Sequence, residues 1–143
     1  KQEVKEEGAV SRGRILVMDD EQVVRKVAAR MLEHIGHEVE LASDGAEAIK
    51  LYKKARQKGR PFDVVIMDLT VPGGMGGTET VGKLLEIDPE VKAVVSSGYS
   101  NDPIISDSHK YGFSGIATKP YKIEELEEVI QKVMAGKGDI TRG

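Results

Sequence analysis

Five short apolar runs recur along this chain, and the segments between them carry apolar residues at helical spacing. The runs cover residues 15–18, 39–41, 64–67, 91–95 and 113–117. Runs this short, without polar alternation, are typical of strands buried on both faces of a parallel sheet. Strands that alternate with helices form right-handed βαβ units. The sequence therefore predicts an α/β fold, a doubly wound five-stranded parallel sheet of (βα)5 type.

The helical segments set the limits of the predicted domain. An apolar stripe between the first two strands ends at Gly36, a typical helix stop, and a second stripe from Ile123 to Met134 ends at Gly136. The pattern is weakest at residues 101–111, where we expect a mobile segment. We predict a domain at residues 14–136, a charged linker or disordered leader at 1–13 and a patternless tail at 137–143.

Composition excludes several classes of function. The net charge is −3 and the charges are dispersed, which argues against a nucleic-acid or membrane-surface binder. The chain has no cysteine, so disulfides and thiolate metal sites are excluded. The apolar runs are far shorter than the roughly 20 residues that span a bilayer. We therefore expect a cytoplasmic domain, whose parent protein could itself be membrane-anchored.

Acidic residues follow two of the predicted strands. Asp19 and Asp20 follow the first strand, and Asp68 follows the third. If these two strands are neighbours, their carboxyl ends meet at one edge of the sheet and the three acids converge. Carboxylate oxygens without nearby Cys or His suit a hard cation such as Mg2+. The sequence therefore predicts a magnesium site at this edge.

The remaining strand ends add a hydroxyl and an amine. Ser96 and Ser97 follow the fourth strand, and Lys119 follows the fifth. A single Asp after a strand is usually a helix cap, but acids, a hydroxyl and a lysine at one edge are much less accidental. Together they are suited to bind a phosphoryl group, since the cation and the ammonium offset the carboxylate repulsion.

These residues resemble the receiver domain of two-component response regulators. The resemblance covers residues 14–135 and rests on four motifs in the family's order and spacing, Met18-Asp19-Asp20-Glu21, Met67-Asp68-Leu69-Thr70-Val71-Pro72, Ser97-Gly98 and Lys119-Pro120-Tyr121. It implies a flavodoxin-like sheet with strand order 2-1-3-4-5. It also implies a domain that accepts a phosphoryl group and acts as a conformational switch.

The resemblance assigns roles to the acidic residues. It implies that Asp68 is the phosphoacceptor. Mg2+ would be bound directly by Asp20, Asp68 and the backbone carbonyl of Thr70, and by Asp19 mostly through a water.

It also assigns roles to the other strand ends. Lys119 would pair with the carboxylate and later with the phosphoryl group, and a cis bond is expected between Lys119 and Pro120. Ser97 would be the switch hydroxyl, while Ser96 is expected to be a neighbour without a role. Two departures from the family pattern are Ile116, where many members have an aromatic ring, and a longer glycine-rich loop at residues 71–77, which we expect to move more easily.

The resemblance implies that the partner is a sensor histidine kinase or a histidine phosphotransfer protein. The charged leader is similar to the one before the carboxyl-terminal receiver of a hybrid sensor histidine kinase. Such a domain is a signalling phosphoacceptor rather than a turnover enzyme. Two alternatives stay open: an aspartyl-phosphate phosphatase of the haloacid dehalogenase type, which needs an acid where this chain has Thr70, and a binding module that never takes phosphate.

Two further patterns carry less weight. Residues 77–83 match a nucleotide-binding loop, G-x-x-x-x-G-K, but Leu84 stands where that loop needs a hydroxyl. His34 and His37 lie three residues apart without an evident third ligand, and we expect both to be surface histidines.

Overall fold

A computed structural model of the chain describes residues 12–98 and 106–136. Within these residues, one parallel sheet of five strands has the order β2-β1-β3-β4-β5. The strands are β1 (Arg14–Met18), β2 (Glu38–Ala42), β3 (Val64–Asp68), β4 (Ala93–Ser97) and β5 (Gly115–Thr118). The helices are α1 (Gln22–Ile35), α2 (Gly45–Gln57), α3 (Gly77–Ile87), the short α4 (Ser108–Tyr111) and α5 (Ile123–Met134). The predicted fold class and strand order are confirmed.

Two hydrophobic layers cover the sheet, one on each face. Leu32 of α1 and Ile130 of α5 are fully buried on one face, and Tyr52 of α2 and Leu84 of α3 are buried on the other. Every residue of β3 and β4 is buried, which explains their continuous apolar pattern. In the described part of the chain, none of the helices has the length and apolar character needed to cross a membrane.

The last two strands begin two residues later than predicted, at Ala93 and Gly115. Val91 and Phe113, which head the two predicted runs, are 7% and 3% exposed but lie in the connections before the strands. Burial in a connection produces the same apolar run as a strand does, so the pattern alone misplaced the boundaries. At the other ends, Ser97 is the last residue of β4 and Asp68 is the last residue of β3, whereas both were predicted to follow their strands.

Helix ends follow their local chemistry. Gly36 closes α1 in the left-handed conformation, with φ 118°, which an L side chain rarely adopts. Asp44 caps α2 by accepting a hydrogen bond from the Glu47 amide at 2.9 Å, while the Glu47 carboxylate accepts one from the Ser43 amide at 2.8 Å. Of the weak segment at 101–111, residues 101–105 lie outside the described residues.

The expectation that His37 is a surface residue is wrong. Its side chain is fully buried in the turn between α1 and β2, whereas His34 is exposed. The Gly13 amide donates to Nδ1 of His37 at 3.0 Å, and Nε2 lies 3.2 Å from a carboxylate oxygen of Glu127 on α5. Because Nδ1 accepts, Nε2 carries the proton and donates to Glu127. The imidazole thus joins the start of the domain to its last helix.

The glycine-rich loop between β3 and α3 is bound to its surroundings through the backbone. The Gly45 amide donates to the Met75 carbonyl at 2.9 Å, and the Gly77 amide donates to the Leu69 carbonyl at 3.0 Å. A Cβ atom on Gly77 would lie 2.7 Å from the carbonyl oxygen of Asp68. Glycine is therefore required here because two backbone segments are in close contact. That this loop moves easily stays a prediction.

Candidate functional site

Three carboxylates meet at the carboxyl edge of the sheet. Asp19 follows β1 directly, and Asp68 ends β3, which pairs with β1 in parallel register. One oxygen from each of Asp19, Asp20 and Asp68 lies within 4.8 Å of the others. Asp19 is fully buried, Asp68 is 7% exposed and Asp20 is exposed. The predicted convergence is therefore observed, and we call these three residues the acidic trio.

Lys119 enters the site from the end of β5. Its Nζ donates to Asp19 at 3.0 Å and to Asp68 at 3.2 Å. Burial alone would lower the pKa of Lys119, but its hydrogen bonds and charge pairing with these two carboxylates outweigh burial and raise it above the usual 10.5. The ammonium therefore stays charged. The bond between Lys119 and Pro120 is cis, as predicted.

The acidic trio carries more negative charge than Lys119 can neutralise. The pKa of the Asp68 carboxyl is raised from 3.8 to about 6, chiefly by burial and then by the neighbouring charge of Asp19, against the lowering effect of Lys119. Three carboxylates against one ammonium leave an excess of negative charge in a partly buried place. The donor set is all oxygen, with one exposed member, so it fits a hard divalent cation that keeps part of its water shell.

A cavity of about 210 Å³ opens above the acidic trio. Asp20, Asp68, Thr70, Ser97 and Lys119 contribute to its wall. Its volume is below the roughly 300–1,000 Å³ of sites for drug-sized ligands. The cavity is therefore of a size for a phosphoryl group and a cation. All the residues predicted for the site line it except Asp19, which lies beneath.

Asp19 is held by contacts that the sequence did not predict. Its carboxylate accepts a hydrogen bond from the Glu21 amide at 2.9 Å, and its backbone carbonyl accepts one from the Arg25 guanidinium at 2.7 Å. Arg25 lies on the first turns of α1, and nothing in its sequence position distinguishes it from a surface arginine. With Lys119 on the other oxygen, each carboxylate oxygen of Asp19 accepts a hydrogen bond from a protein group.

Ser96 also has a partner that the sequence did not predict. Its hydroxyl lies 2.6 Å from the hydroxyl of Tyr121, and the two residues are 0% and 8% exposed. Burial raises the pKa of the Tyr121 phenol to about 12, so the ring stays neutral. The available signal was the alternation of side chains along β4, which turns Ser96 away from Ser97 and into the core, where a hydroxyl needs a partner.

Comparisons with known proteins identify the family of this chain. The sequence model of the response regulator receiver domain matches residues 15–131. Response regulator GacA of Pseudomonas aeruginosa is 36% identical over 126 residues, which are 87% of this chain and 56% of GacA. Chemotaxis protein CheY of Thermotoga maritima is 29% identical over 121 residues, 84% of this chain and 96% of CheY. The chain thus spans about half the length of GacA and nearly all of CheY.

Solved structures show the same fold. A LuxR-family two-component response regulator from Aurantimonas sp. SI85-9A1 has a TM-score of 0.79 and 30% identity, with 90% of this chain and 89% of that chain covered. A CheY-like receiver domain from Methanospirillum hungatei JF-1 has a TM-score of 0.74 and 27% identity, with coverage of 89% and 97%. With both its sequence and its fold matching, the chain belongs to the response regulator receiver domains, the phosphoacceptor switches of two-component signalling systems.

Proposed function

We propose that this domain accepts a phosphoryl group on Asp68 from the phosphohistidine of a kinase or phosphotransfer protein. Receiver domains of two-component systems take phosphoryl groups from such partners, and phosphorylation on Asp is characteristic of the family. One observation carries the choice of residue. Of the acidic trio, Asp68 alone both lines the cavity and contacts Lys119. Asp20 lines the cavity without a hydrogen bond to Lys119, and Asp19 bonds Lys119 but does not line the cavity.

The transfer forms one bond and breaks one. A carboxylate oxygen of Asp68 attacks phosphorus, the bond from phosphorus to the imidazole nitrogen breaks, and the histidine leaves with the electron pair. The product is an acyl phosphate on Asp68. The Lys119 ammonium lies close enough to neutralise charge on the transferring group, and Ser97, which lines the cavity, would donate its hydroxyl to a phosphoryl oxygen.

Receiver domains bind Mg2+ at an acidic pocket, and the acidic trio fits that ion. We assign direct binding to Asp20, Asp68 and the backbone carbonyl of Thr70, all of which line the cavity. Asp19 would act through a water, because its carboxylate already accepts from Lys119 and from the Glu21 amide. When bound, the ion spreads the negative charge of the phosphoryl group.

The alternative functions have less support. A phosphatase of the haloacid dehalogenase type needs an acid two residues after the nucleophile, and Thr70 has no ionisable group there. A binding module without phosphorylation would not require a charged lysine between two buried carboxylates. The hybrid sensor kinase as parent protein stays a prediction, which the complete parent sequence would test.

Small-molecule phosphorylation tests the proposed function. We expect acetyl phosphate with Mg2+ to add one phosphoryl group to the wild-type domain, and a chelator to prevent the addition. Intact-mass spectrometry measures the gain, and peptide mapping after reduction of the acyl phosphate with borohydride locates it. A domain that gains no mass from either acetyl phosphate or a panel of phosphohistidine proteins would refute the proposal.

Mg2+ binding is expected to weaken as the pH falls through 6. In the metal-free site, the pKa of Asp68 is about 6, so below that pH a proton competes with the cation for the carboxylate. Affinity should therefore be roughly tenfold lower at pH 5 than at pH 7, following the ionised fraction of one such carboxyl. Titration with Mg2+ followed by NMR at the two pH values measures this ratio. Equal affinities would show that no proton on Asp68 competes with the ion in this pH range.

We further propose that the partner docks on a groove beside the site. This α1 groove has a volume of about 440 Å³ and is lined by Val23, Val24, Val27, Pro120 and Tyr121. Glu21 and Lys119 line both this groove and the phosphorylation cavity, so the two are continuous. Part of the apolar stripe of α1 packs into the core, but Val23 and Val27 stay 72% and 40% exposed. A bound partner would cover them.

Val23→Asp is expected to slow transfer from a histidine kinase by about tenfold or more, because it places a charge in an apolar contact. Phosphorylation by acetyl phosphate and the midpoint of thermal unfolding should not change, since Val23 is exposed. Gln57→Glu adds the same charge at the opposite edge of the sheet and serves as the control. If both variants accept phosphate from the kinase at the wild-type rate, docking occurs elsewhere.

A further inference from the structure

A buried hydrogen bond lies directly behind the phosphorylation cavity. It joins the hydroxyls of Ser96 and Tyr121 at 2.6 Å, and the Tyr121 ring belongs to the layer between the sheet and helices α1 and α5. Neither hydroxyl lines the cavity, so neither touches the phosphoryl group. Both residues are, however, close in the sequence to residues that line the cavity. Ser96 precedes Ser97, and Tyr121 is two residues after Lys119.

The same two segments are joined a second time through the backbone. The Lys119 amide donates to the Ser97 carbonyl at 3.1 Å, which extends the pairing of β4 and β5 by one residue. Beyond this point the chain turns through Pro120 and no longer follows the sheet. The Ser96–Tyr121 bond thus joins the end of β4 to the loop two residues beyond this last backbone bond.

We propose that Ser96 and Tyr121 are positioning residues for phosphoryl transfer. Their bond fixes the loop that follows Lys119 to the end of β4, and so fixes the Lys119 ammonium relative to the Ser97 hydroxyl. Both groups must meet oxygens of one phosphoryl group, and small displacements of such groups slow a reaction. This inference rests on the proposed phosphorylation of Asp68 and adds residues that do not touch the reacting atoms.

Removal of either hydroxyl tests the proposal without removing the ring that lines the α1 groove. Ser96→Ala and Tyr121→Phe are each expected to slow phosphorylation by acetyl phosphate about fivefold. This is the change in rate if the net stabilisation of one hydrogen bond is lost in the transition state. The double variant should be no slower than either single variant, because both changes remove the same bond. Rates are followed by intact mass at saturating Mg2+, well below the unfolding temperature.

Tyr52→Phe is the matched control. The Tyr52 hydroxyl donates to the Asp88 carboxylate at 2.7 Å, and its ring is 2% exposed, yet it lies on the other face of the sheet. This variant also loses one tyrosine hydrogen bond, so its unfolding midpoint should fall by an amount similar to that of Tyr121→Phe. Its phosphorylation rate should equal that of the wild type, which separates loss of stability from loss of positioning.

A spectroscopic measurement gives a readout that stability does not affect. In the wild type, the ring carbon signals of Tyr121 should shift when Asp68 is phosphorylated, because the loop and β4 move together. In Ser96→Ala this shift should be lost or greatly reduced. Wild-type rates in Ser96→Ala and Tyr121→Phe, with only their unfolding midpoints lowered, would overturn the inference and leave the proposed function intact. Failure of the wild type to accept phosphate would overturn both.

Discussion

Asp68→Asn is expected to accept no phosphoryl group, either from acetyl phosphate or from a phosphohistidine protein. The amide has nearly the shape of the carboxylate but lacks its negative charge, so it is not a nucleophile towards phosphorus. The loss should be complete within detection, because neither of the other two carboxylates combines access to the cavity with contact to Lys119. Intact-mass spectrometry after incubation with acetyl phosphate and Mg2+ measures it.

The same variant should keep its fold and lose no stability at pH 7 without Mg2+. The raised pKa of Asp68 means that the folded domain disfavours the charged form, a cost present above pH 6 and relieved as the pH falls towards 3.8. Asparagine removes that charge. Asp107→Asn, an exposed carboxylate outside the site, is the control and should behave like the wild type in both assays. Phosphorylation that persists in Asp68→Asn would refute the assignment of this residue.

Gly77→Ala is expected to destabilise the domain more than an ordinary helix substitution does. The new Cβ would lie 2.7 Å from the carbonyl oxygen of Asp68 and 3.4 Å from Leu69 Cα, so backbone must move. Such overpacking costs about 1–3 kcal/mol, and the unfolding midpoint should fall by roughly 5–10 °C. Because the displaced carbonyl belongs to Asp68, the phosphorylation rate measured at low temperature should fall as well.

Gly82→Ala provides the matched control on the same helix. Gly82 is exposed in the middle of α3, and a Cβ there has no other atom within 4 Å. Alanine in an exposed helix is favoured over glycine by about 0.5–1 kcal/mol, so this variant should be more stable than the wild type. Differential scanning calorimetry of both variants tests the contrast. A Gly77→Ala domain as stable as Gly82→Ala would mean that the loop and β3 separate easily.

The sequence predicted what depends on the topology of the sheet. Once β1 and β3 are neighbouring parallel strands, Asp19 and Asp68 must meet at one edge, and the strand order then places Lys119 close to them. The end of α1 at Gly36 depends on a few adjacent residues and was also predicted. These features can be predicted from local sequence patterns and from the rule that the carboxyl ends of parallel strands meet at one edge of the sheet.

Contacts between distant residues were not predictable in the same way. His37 was expected at the surface, but its partners Gly13 and Glu127 are 24 and 90 residues away. The hydrogen bond of Ser96 was not predicted, because its partner Tyr121 follows a loop whose path the pattern does not define. In both cases the polar group is buried, and its partner depends on packing between elements that a sequence pattern treats separately.

The Lys119 ammonium donates hydrogen bonds of similar length to Asp19 and Asp68, at 3.0 and 3.2 Å. An ammonium between two carboxylates at similar distances takes a position that depends on the difference between the two attractions. A modest change of charge on one carboxylate is therefore enough to move it. Dissolved salt weakens both attractions together and leaves the difference nearly unchanged, the more so because both carboxylates are buried. The position of this lysine should therefore report the charge on Asp68 over a wide range of ionic strength.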